Sequence, residues 1–83
     1  MARSFHSALR SLVLSRLTPE EELQLTSSVR VENNSMLGYG DIDVVYRHGK
    51  NGAVRCADRF NNMYYLSELS EAQCRAILEA IPN

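Results

Sequence analysis

Two histidines, His6 and His48, and two cysteines, Cys56 and Cys74, are the side chains in this chain best suited to hold a metal or to pair as nucleophile and base. Neither use fits their spacing. A zinc site needs its ligands brought together, and these four are scattered with no metal-type spacing between the cysteines. His48 sits beside a turn and Cys56 reads as an inward strand residue, which separates a nucleophile from a base. Asp41 and Asp43 stand two apart at a strand start, where acids are usually solvated or answer an arginine. No nucleophile, base and orienting group can be named together, so the expectation is a protein that is not an enzyme, with no cofactor and no metal. Gly38-Tyr39-Gly40 lacks both dinucleotide-binding spacing and the Lys-Ser/Thr pair of a phosphate loop.

The arginines are more suggestive. Eight of the nine basic residues are Arg, whose rigid fork suits carboxylates and phosphates better than Lys does. The stretch Tyr46 to Phe60 reads as a β-hairpin, and its register decides where those arginines point. A two-residue Asn51-Gly52 turn mixes apolar and charged residues on both faces. A three-residue loop, Lys50-Asn51-Gly52, with Gly52 in the left-handed region, separates them. One face then holds Ile42, Val44, Tyr46, Val54, Cys56 and Phe60. The other holds Asp43, Val45, Arg47, Ala53, Arg55, Ala57 and Arg59. The buried pattern sets the register, so the bulged loop is the expectation.

A two-residue Asn61-Asn62 turn would lead into a further strand, Met63 to Leu66, with Met63 and Tyr65 inward and Tyr64 outward. Asp58 then falls on the core face. Arg47, Arg55, Arg59 and Tyr64 would share the outer face, a candidate partner-binding surface. Arg and Tyr anchor protein interfaces, and Val45, Ala53, Ala57 and Leu66 make the face partly apolar. The same set also suits single-stranded nucleic acid through stacking and phosphate contact. A solvated face with cross-strand ion pairs explains it equally.

Other elements must position this hairpin. Apolar residues at Phe5, Ala8, Leu9, Leu12, Val13 and Leu17 recur at helical spacing. The same Arg-rich, acid-free N-terminus also has a mitochondrial transit-peptide profile; a structural helix is the reading adopted. Thr18, Pro19 and Glu21 give a helix-start signal, so a second short helix is expected from about Pro19 to about Thr26. Val29 and Val31 alternate with polar residues in a first strand, and Asn33 to Asp41 is loop. Ser70 and Gln73 form a capping box, and Cys74, Ile77, Leu78 and Ile81 form a buried stripe closed by Pro82.

The expected fold is therefore α+β, a single domain over residues 1–83 of the 83-residue chain. It is a two-layer domain with an N-terminal helix pair, a three- to four-stranded antiparallel sheet and a C-terminal helix. Net charge is −1, so no global field draws it to nucleic acid or acidic lipid. The longest apolar run, Leu12-Val13-Leu14, is too short to span a membrane. With no secretory segment, a reducing, cytoplasmic setting is expected, with both cysteines as small buried side chains.

These features suit a small regulatory or inhibitory accessory protein, of bacterial or phage style, acting on a larger protein partner. Leu12, Val13 and Leu14 point in successive directions about 100° apart, so at least one should face away from the core. A homodimer with these three residues at its interface is expected on that ground.

Overall fold

The computed structural model describes residues 4–18, 21–31, 41–49 and 52–82. The order is α1 (Phe5–Arg16), β1 (Glu22–Arg30), β2 (Asp41–His48), β3 (Ala53–Asp58), β4 (Met63–Tyr65), a 3₁₀ turn (Leu66–Glu68) and α2 (Glu71–Ala80). The four strands form one antiparallel sheet in the order β1-β2-β3-β4. The chain is thus α+β, and among the described residues one helix precedes the sheet.

Both helices start on serine caps. Ser4 Oγ accepts the Ser7 N–H at 3.1 Å, and Ser70 with Gln73 closes the reciprocal box read from the sequence. Leu9 and Val13 of α1 and Cys74 and Ile77 of α2 are fully buried, and they share one apolar cluster with Ile42, Val45 and Cys56 of the sheet. Arg75 lies over the exposed Phe5 ring at 5.9 Å, which ties the two helix surfaces together.

The expected second helix is a strand. Thr18 and Glu21 do make the contacts of a helix start: Glu21 Oε1 accepts the Thr18 hydroxyl at 2.6 Å and its N–H at 3.3 Å. The chain then extends into β1, pairing Leu23 with Val45 and Val29 with Ile42. Leu25, Val29 and Val31 reach the core by alternation, and Thr26 Oγ1 donates to the Ala80 carbonyl at 2.9 Å. A cap signal is worth about 1 kcal/mol. A ladder of sheet hydrogen bonds plus buried side chains outweighs it. Of the expected loop Asn33–Asp41, residues 33–40 lie outside the described residues and Asp41 opens β2.

The hairpin register also differs from expectation. His48 pairs with Ala53, Tyr46 with Arg55 and Val45 with Cys56. Four residues, 49–52, therefore separate the paired ends, and even positions face odd ones. Gly49 and Gly52 have positive φ, 69° and 74°. The ladder shifts between Ile42 and Val44, leaving Asp43 as an extra residue on β2. This bulge lets Ile42 and Val45, three apart, both point into the core with no exposed surface. Val44 and Tyr46 consequently point outward.

The strand β3 faces as the sequence predicts, with Val54, Cys56 and Asp58 inward. The β4 strand is inverted: Tyr64 is inward and Met63 and Tyr65 are outward. The β3–β4 turn has three residues, Arg59 to Asn61, and not two. The Asn61 N–H donates to the Asp58 carbonyl at 3.1 Å, and Asn61 takes φ 64°. The left-handed loop expected in the first hairpin occurs in the second, with Asn in the strained position.

Candidate outward sheet face

The predicted site residues do not share a face. Arg55 points outward. Arg47 pairs with Val54 on the core side, and its Nη1 donates to the Leu17 carbonyl at 3.4 Å, near the end of α1. Arg59 is in the β3–β4 turn with its guanidinium over the exposed Phe60 ring at 5.6 Å. Tyr64 is buried, 4% exposed. The cause is the Asp43 bulge on β2 and the three-residue turn before β4. Each changes the parity of the residues beyond it.

What assembles instead is a pair of cross-strand rows. Glu22, Tyr46, Arg55 and Tyr65 lie side by side across the sheet, and Gln24, Val44, Ala57 and Met63 form the adjacent row. Arg55 sits 4.6 Å from the Tyr65 ring centroid and its Nη2 donates to the phenol oxygen at 2.6 Å. Tyr46 donates its hydroxyl to Met63 Sδ at 3.0 Å. Met63 is 52% exposed, Tyr65 51% and the neighbouring Phe60 71%. Arg55 Nε is buried and has no hydrogen-bond partner. Aromatic rings, a thioether and one guanidinium on a sheet surface make a sticky patch, where such groups anchor interfaces. Sequence reasoning missed Tyr46, Met63 and Tyr65 because it placed all three inward.

Comparison with known protein families, with curated proteins and with solved structures finds no match to this chain. The face must therefore speak for itself.

Behind it, Asp58 is the buried charge whose environment the sequence left open. Its Oδ1 accepts the Phe60 N–H at 2.8 Å and the Asn62 N–H at 2.9 Å, while Oδ2 accepts Asn62 Nδ2 at 3.0 Å and the Tyr64 hydroxyl at 3.3 Å. Burial alone raises its pKa, but these donors outweigh burial and hold the carboxyl below its ordinary value. Asp58 is thus the clamp that shapes the turn carrying Arg59 and Phe60.

The two cysteines lie near one another in the core. Cys56 and Cys74 are free, fully buried thiols. Burial, then the neighbouring Cys74, pushes Cys56 up to about 12, and burial with Glu71 pushes Cys74 up to about 11. His48 is exposed at the end of β2, and His6 is on α1, where its Nε2 lies 2.7 Å from the Leu69 carbonyl. Among the described residues, no group of three or more His, Cys, Asp and Glu side chains is placed to hold a metal ion.

The expected dimer surface changes as well. Val13 is fully buried, Leu12 packs against the core, and Leu14 is half-buried over the hairpin at Gly52. Val13 thus turns inward, while Leu12 and Leu14 keep part of their surface. Among the described residues, no helix is long and apolar enough to cross a membrane.

Proposed function

We propose that this protein is a non-enzymatic binding module that regulates or inhibits a larger protein, and that it docks through the outward sheet face. In this reading the two helices make one layer behind the sheet and leave the other side to the partner. The observation that carries it is the row Tyr46–Arg55–Tyr65, with Met63 and Tyr65 half exposed beside it. Exposed large side chains on a small domain mark an interaction site when they cluster.

The test is affinity capture from native extract, followed by sizing of the complex. Wild type should retain one protein in stoichiometric amount, and Met63→Asp with Tyr65→Ala should lose it while remaining folded. Equal capture by both, or substrate turnover by the purified chain, refutes the reading.

A second reading is favoured by the same row. Two tyrosines flank an arginine on a sheet surface, which is how small sheet domains stack unpaired bases. It calls for binding of single-stranded oligonucleotides that weakens steeply with salt. Arg55→Ala and Tyr65→Ala should each weaken it. Fluorescence anisotropy that shows no binding at low salt eliminates it.

A further inference from the structure

A cleft of about 380 Å³ opens between the first turns of α1 and the end of β4. His6, Ser7 and Arg10 form its helix wall, and Tyr65, Leu66 and Ser67 form the opposite wall. Val54 lines it beyond the last β3–β4 pair, Arg55 with Tyr65. A β4 one residue longer would pair along Val54; the 3₁₀ turn at Leu66 leaves that place open.

The polar groups on these walls have donors to spare. Tyr65's oxygen already accepts from Arg55, so its own proton is left to donate. Ser7 Oγ accepts from Ser4 Oγ at 3.1 Å and likewise keeps its proton. The Leu69 carbonyl only accepts, so His6 Nε2 must donate to it, and the ring is held as a wall. Arg10 makes no hydrogen bond or ion pair among the described residues. Among the described residues, no carboxylate lines the cleft. A ligand must therefore bring acceptors and negative charge to Arg10 and the hydroxyls, and an apolar part to Val54 and Leu66.

We propose that this cleft binds a small organic anion, a phosphomonoester or carboxylate carried on an aromatic or short aliphatic group. Size agrees: a cavity of about 150 Å³ holds a benzene ring, which leaves room here for the anionic head. The site is independent of the docking face except for Tyr65, and Met63 does not line it.

The experiment is an amide NMR titration of the full chain with phenyl phosphate, with benzoate, inorganic phosphate and benzyl alcohol as parallel arms. Phenyl phosphate should shift His6, Ser7, Arg10, Leu66 and Ser67, with a Kd of a few millimolar or tighter, about what a ligand of this size reaches in a shallow site. Benzoate should shift the same residues, inorganic phosphate should bind more weakly, and benzyl alcohol should not bind. Arg10→Gln should weaken phenyl phosphate at least about tenfold. Should that variant fail to fold, the wild-type contrast between phenyl phosphate and benzyl alcohol decides. Scattered shifts, equal binding of the neutral alcohol, or an unchanged Kd in folded Arg10→Gln overturns the proposal. So does co-sedimentation with phosphatidate vesicles when phenyl phosphate shifts nothing, which would assign the cleft to a lipid surface.

Discussion

Asp58 holds Asn62 twice, taking its backbone N–H on one carboxylate oxygen at 2.9 Å and its side-chain Nδ2 on the other at 3.0 Å. With Phe60 and Tyr64 as further donors, the carboxylate builds the β3–β4 turn. Asp58→Ala removes the acceptor shared by the Phe60 and Asn62 donors. It should cost roughly 1–3 kcal/mol, the scale of losing the acceptor of part-buried donors. Urea unfolding measures this directly.

The same carboxylate makes the fold acid-sensitive. Its pKa is lower folded than unfolded, so below its ordinary value the unfolded chain binds more protons. Its stabilisation is present above about pH 4 and is lost as pH falls through the folded value. Asp58→Asn should lack this component, so its unfolding free energy should fall less than that of wild type between about pH 4 and pH 2. Parallel acid-dependent losses in the two proteins would show that other carboxylates carry it.

At the opposite end of the pH scale the thiols act. Cys56 and Cys74 are raised from 9.0 to about 12 and about 11. Between those limits the unfolded chain has released protons that the folded chain keeps. Stability should therefore fall as pH rises above about 9, by up to ~1.4 kcal/mol per pH unit for each thiol. Cys56→Ala should flatten that slope. At neutral pH neither thiol should react with iodoacetamide faster than the chain unfolds.

Gly52 carries φ 74°, and a Cβ there would stand 3.0 Å from Leu14 Cδ2. Gly52→Ala should cost about 1–2 kcal/mol from the backbone alone, plus the displacement of Leu14. Adding Leu14→Ala should recover the contact part, a coupling a double-mutant cycle reads. Leu14→Glu should destabilise the domain, because Leu14 packs on the hairpin and is not a free surface residue.

Asn61 has φ 64°. Asn61→Gly should be neutral or slightly stabilising. Asn61→Val should cost about 1–2 kcal/mol, since a β-branched residue resists that region. Thermal unfolding of the pair checks whether the turn needs the left-handed residue.

Local signals in the chain were enough for its two helices, the serine caps, the β3 faces and the burial of both cysteines. Each is decided within a few residues, by a cap or a repeating apolar stripe. The rest depended on contacts between distant segments. Residues 22–30 carry a helix-start signal just before them, yet they extend because β2 offers a ladder and the core needs Leu25 and Val29. The faces of β2 and β4 turned on one bulged residue, Asp43, and on one left-handed residue, Asn61. Strand side chains alternate with period two, so a single inserted residue sends everything beyond it to the other side. That is why Tyr46, Met63 and Tyr65 surround Arg55 on the outside while Arg47 and Tyr64 turn inward. Alternation is a local property, but where it slips is set by which register buries Ile42 and Val45 together, and only the folded sheet decides that.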